Sequence, residues 1–155
     1  MQKKQLAQIN IAQMKAPLED PIMKEFVDFI DPINALAEES PGFVWRLKDK
    51  DGGSSMNIEV PMQNDMVIIN MSVWEDLESL KSYVYQTVHS YFVRSSKRWF
   101  DKMDKPHMAL WWVDAGHEPT VEEAYQRLSM IEKDGAGPEA FLFGKAYGPD
   151  GEKLH

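Results

Sequence analysis

An α+β domain built on an antiparallel sheet is what this sequence predicts, on three observations. Segments of hydrophobic period two and period 3.6 follow one another in the order strand, helix, strand, strand, helix, strand, with one further helix appended. The 155 residues, 43% hydrophobic and 27% charged, have the size and mix of a single domain with its own core. There is no cysteine, so packing rather than disulfides or thiolate-bound metal must hold the chain together. Two helices interleaved with four strands in that order give a ferredoxin-like sheet with its helices on one face. The domain is expected over 1–147, with 148–155 a flexible tail.

Each element has its own local reason. From Leu6 to Met14 the chain alternates, with Ala7, Ile9 and Ile11 on one side and Leu6, Gln8, Asn10 and Ala12 on the other. Asp20 is placed to cap a helix that Pro21 opens, and its apolar stripe is Ile22, Phe26, Phe29, Ile30, Ile33, Leu36 and Ala37. Pro32 lies inside that stripe, so a bend or local break is expected there. Ser40-Pro41-Gly42 stops the helix, and Phe43 to Leu47 reads as the second strand, before a turn-rich Asp49 to Gly53. Residues 54–65 carry no clear period. Met66 to Trp74 is the third strand, with Val67, Ile69, Met71 and Val73 opposite Ile68, Asn70, Ser72 and Trp74. A helical pattern then runs from Asp76 through Leu77, Leu80, Val84, Val88, Tyr91 and Phe92. Met108 to Val113 is the fourth strand. Thr120 and Glu123 form a capping box for a last helix that ends at Gly135, and Phe141 to Tyr147 is a candidate short strand.

A sheet with helices on one face leaves the other uncovered, and five tryptophans with seven phenylalanines are more than one helix layer hides. A second subunit is the simplest cover. The expectation is therefore a homodimer, a dimeric α+β barrel in which the mixed strand faces look into a shared interior.

Composition narrows the function. A formal net charge of −8 argues against nucleic acid, which needs a broad basic face. The longest apolar run, Met108 to Val113, is far short of the ~20 residues that span a bilayer, and no signal-type segment follows the polar start. No membrane partner and a cytoplasmic location are expected.

Four segments carry a family resemblance: Leu6 to Ala12, Ser40 to Arg46, Ser72-Val73-Trp74-Glu75 leading to a helix with His89, and Leu110 to Val113 before Gly116 to Thr120. The chain resembles a bacterial family of unassigned function within the dimeric α+β-barrel superfamily. That superfamily includes antibiotic-biosynthesis monooxygenases that oxidise polycyclic phenols without a cofactor, and haem-degrading monooxygenases. Asn10, Val73-Trp74 and the following helix look similar in kind to the haem-degrading branch. Two departures stand out: Tyr83 occupies the place of a second Trp, and His89 comes four residues before the branch's histidine position, held here by Val93. Four residues are about one helical turn, ~5 Å along the axis.

The candidate site collects the polar members of the mixed faces. Gln8 and Asn10 from the first strand and Asn70 and Ser72 from the third, with Trp74 beside them, could bind a ligand carbonyl, a phenol or an O₂-derived anion. The alternative is that these groups hydrogen-bond one another in a closed core. His89 could act as base or haem ligand, with Tyr85 a turn before it and Arg94 and Arg98 beyond to pair with ligand carboxylates, or it could simply bond a backbone carbonyl. His107, His117 and His155 have no metal-site spacing, and neither a Gly-x-Ser-x-Gly elbow nor a phosphate loop occurs. The resulting expectation is a monooxygenase-like enzyme acting on a hydrophobic aromatic or haem-type molecule, with haem or no cofactor. Asn10 and His89 would be catalytic, and Gln8, Asn70, Ser72, Trp74, Tyr85, Arg94 and Arg98 would contact substrate. The competing reading is a non-catalytic binding or assembly protein of the same fold.

Overall fold

The computed structural model describes residues 3–16, 19–47, 67–88, 100–101 and 107–154. Strand β1 (Lys4–Met14) is the centre of the sheet. On one side it pairs with β3 (Val67–Trp74), from Leu6 opposite Trp74 to Gln13 opposite Val67, and β3 in turn pairs with β2 (Phe43–Arg46). Along its other edge β1 pairs with β5 (Met108–Asp114) over Lys4 to Asn10 and with the short β4 (Phe100–Asp101) at Gln13 and Met14. Every pairing is antiparallel, and the long strands take the order β2-β3-β1-β5. This is the ferredoxin-like sheet the element order predicts.

The helices start where the capping chemistry puts them. Asp20 accepts from the Ile22 N–H and opens a 3₁₀ turn, Pro21–Met23, which leads into α1 (Lys24–Glu39). Helix α1 is continuous through Pro32, so the break expected there does not occur; the proline is exposed. Asp76 caps α2 (Leu77–Ser82), and the chain continues as π-helical turns over Tyr83–Val88. Thr120 caps α3 (Val121–Asp134), and Gly135 closes it. Gly42, with φ +84°, makes the tight entry into β2, where any Cβ would run into the Ser79 side chain.

Strand alternation divides the core in two. One face carries Ala7, Ile9, Ile11, Ile69, Met71, Val73, Ala109 and Trp111, all buried with Ala124, Leu128 and Ile131 of α3. The other, mixed face packs Leu6, Trp74 and Leu110 against Ala37 of α1, Leu77 and Leu80 of α2, and Phe141 and Ala146 of the C-terminal segment. The two interleaved helices thus share one face, as expected, while the appended helix lies on the other. The apolar face, expected to be left uncovered, carries α3 of the same chain. The mixed face looks under α1 and α2 of the same chain rather than into a shared interior.

The residues after Tyr147, expected as a flexible tail, fold back instead. Tyr147 bridges to Lys153, the Gly148 N–H donates to the Glu152 carbonyl, and the Leu154 N–H donates to the Ala146 carbonyl. In place of the strand expected at Phe141 to Tyr147, single bridges join Phe141 to Leu110 and Leu142 to Lys145.

Candidate functional site

The β1–β3 register sets the polar residues in facing rows: Gln8 opposite Ser72, and Asn10 opposite Asn70. Leu6 and Trp74 form the row below, under α2, while Arg46 of β2 stands beside Ser72. A period-two pattern on two neighbouring strands therefore becomes one polar strip.

Hydrogen bonds run along this strip in a defined direction. The Trp74 Nε1–H donates to Ser72 Oγ at 2.9 Å, and Gln8 Nε2 donates to the same oxygen at 2.8 Å and to Asn70 Oδ1 at 2.8 Å. Gln8 and Ser72 are only 6% and 7% exposed, so these bonds replace water that the residues lost on folding. Asn10 and Asn70 lie at the exposed end. The strip is closed at the Trp74 end and open at the asparagine end, rather than enclosed on all sides.

Aromatic rings form the closed wall. Trp74 is fully buried, with Phe43 edge-on at 5.5 Å between centroids and Tyr83 stacked at 5.0 Å. The Tyr83 hydroxyl donates to the Ile33 carbonyl of α1 at 3.1 Å. Burial pushes its pKa up to about 12, and the nearby Arg46 charge pulls weakly the other way, so Tyr83 stays a neutral phenol at physiological pH. Arg46 is itself mostly buried and lies 3.4 Å from Glu38 of α1. Two residues further along the π-helical turns, Tyr85 is 51% exposed and leans on Phe143, with centroids 5.7 Å apart. π-Helical turns recur at functional sites because the extra residue re-aims the side chains.

The sequence-predicted residues thus fall into groups. Gln8, Ser72, Asn70 and Trp74 are brought into one network, with Asn10 facing Asn70 across the strands. Trp74, expected to pack on substrate, has no exposed surface and serves as the anchor of the wall. Tyr85 is accessible. His89, Arg94 and Arg98 lie outside the described residues. Sequence reasoning missed Arg46 and Phe43 as neighbours of the strip, because the β2 bulge between Phe43 and Trp45 breaks the alternation that would have grouped them.

Haem finds no support among the described residues. His107 is exposed at the foot of β5, and His117 is held 2.7 Å from Glu123, whose other oxygen accepts from the Trp111 indole on the opposite face of the sheet. No cluster of three or more metal-ligating side chains occurs among the described residues, and no helix among them is long and apolar enough to cross a membrane.

A family model described as "Domain of unknown function (DUF3291)" matches residues 5–155. No curated protein matches the chain. Among solved structures, a protein of unknown function from Nitrosomonas europaea, NE2512, aligns at 10% identity over 77% of this chain and 97% of its own, with a TM-score of 0.48. PA3566 from Pseudomonas aeruginosa aligns at 10% identity over 76% and 99%, also at 0.48. SnoaB, a cofactor-independent oxygenase from Streptomyces nogalater, aligns at 14% identity over 74% and 96%, at 0.44. None of these likenesses transfers a residue role to this chain.

Proposed function

Starting from a chain that belongs to the DUF3291 family, a family of domains of unknown function, we propose that it binds a hydrophobic aromatic small molecule at the open end of the strip and oxidises it with molecular oxygen as a monooxygenase-like enzyme without a cofactor. One observation carries this reading. Two facing asparagines, Asn10 and Asn70, are displayed at the end of a network whose other end is locked to a buried indole. The Asn70 amide, held through its oxygen by Gln8, meets a ligand oxygen without first having to be ordered, which is how a small number of polar groups fixes orientation in an apolar site. Asn10 would orient the reacting oxygen, and Tyr85 would pack against the ring. The base assigned to the phenol is His89, on sequence grounds.

The test is oxygen uptake with polycyclic phenols. Wild type is expected to consume oxygen, and Asn10→Ala to lose about a hundredfold or more, the scale of one oriented donor. Binding of the phenol with no uptake would overturn the enzymatic reading. A non-catalytic binding protein would then remain, and one feature favours that alternative: Gln8 spends both its amide hydrogens within the network, leaving none for a reacting group.

A further inference from the structure

We infer that Gln8 sets the hydrogen-bond polarity of the open end through Asn70, so that the site selects ligands presenting an acceptor oxygen, above all an aryl carboxylate or phenolate, over ligands presenting a donor. This rests on the ligand-site reading above and deepens it.

The direction of the bonds sets this polarity. An indole N–H only donates, so Ser72 Oγ accepts from Trp74. Gln8 also turns its NH₂ group toward Ser72 and uses its second hydrogen on Asn70 Oδ1. A primary amide whose oxygen is engaged has its own NH₂ on the other branch. The Asn70 amide is therefore pinned by its oxygen and presents its two N–H donors away from Gln8, at the exposed end. Nothing among the described residues accepts from that nitrogen. Gln8, 6% exposed and held at two points, acts as a positioning residue rather than a ligand-contacting one. The exposed amide thus has a preferred face for an acceptor, set by the Gln8 NH₂ group that holds its oxygen.

The experiment compares two flat probes on the same naphthalene ring, 2-naphthoate and 2-naphthylamine, by calorimetry on the full chain. Wild type is expected to prefer naphthoate by about tenfold or more, the scale of a hydrogen bond to a charged acceptor. Asn70→Ala, at an exposed position, should abolish that preference by weakening naphthoate alone, with folding checked by circular dichroism because Gln8 loses an acceptor. Asn70→Asp keeps the oxygen that Gln8 holds but replaces the donors with an acceptor, and should reverse the preference. Gln8→Met leaves Asn70 in place but free to turn, and should shrink the preference without removing binding. If wild type takes both probes equally, or if Asn70→Ala weakens both alike, the polarity assignment is overturned while the ligand site stands. If neither probe binds wild type, the aromatic-ligand reading falls, and this inference with it.

Discussion

Ser72 accepts two hydrogen bonds on one oxygen, and the floor of the site depends on it. Tyr83 closes the wall above, and its burial makes a prediction about pH. The unfolded chain releases this phenolic proton near pH 10, whereas the folded chain holds it to about 12. Between those values the folded state keeps a proton that the unfolded state has lost, so stability from this group is intact below pH 10 and declines as pH rises toward 12. Tyr83→Phe should flatten that decline in urea unfolding followed from pH 9 to 12, at a cost of about 1 kcal/mol at neutral pH for the lost bond to Ile33. Some slope will remain, because burial also raises the Tyr125 hydroxyl. At this scale the sequence was partly legible. Period two alone put Gln8, Asn10, Asn70, Ser72 and Trp74 on one kind of face. It could not tell that Gln8 and Ser72 are sealed while the two asparagines are open, because that depends on how far the helices reach over the strip.

Among the elements, the C-terminal segment changes most between expectation and structure. Its sequence is rich in glycine and proline, and it reads as a short strand over Phe141 to Tyr147 followed by a tail. Its largest anchor is Phe141, fully buried against Leu110, with a reciprocal pair of backbone bonds at 2.8 and 2.9 Å to the outer edge of β5. The Trp112 indole adds a bond to the Tyr147 carbonyl. Phe141→Ala should cost about 3–5 kcal/mol, the usual result of emptying an aromatic core position. It should also speed amide exchange at Leu110 and over 140–154 more than elsewhere, because the backbone bonds to β5 run through Phe141 itself; exchange mass spectrometry reads this directly. Equal protection in wild type and variant would show that the segment is held by something other than Phe141. Phe143, which meets Tyr85, lies on this same segment, so loosening it should also weaken any aromatic ligand that packs there.

For the whole molecule, the placement of α3 matters most. Its residues Ala124, Leu128 and Ile131 bury the purely apolar face of the sheet, while Gln8, Asn70 and Ser72 join within the chain on the other. Ligand binding is accordingly expected at one molecule per chain, with an affinity that does not change as protein is diluted tenfold; calorimetry at several concentrations checks this, and affinity that falls on dilution would show that a second subunit completes the site. The sequence by itself determined β1, β2, β3 and β5, the caps at Asp20 and Thr120, the ferredoxin-like order and the shared face of the amides, because periodicity and capping are local and survive without knowledge of neighbours. Tertiary structure alone decided which layer covers each face, the linkage of Gln8 to Asn70 across 62 positions, and the placement of Arg46 beside them. These are contacts between segments distant along the chain, and an amphipathic helix carries a face to bury but nothing in its own pattern to say which side of a two-sided sheet will receive it.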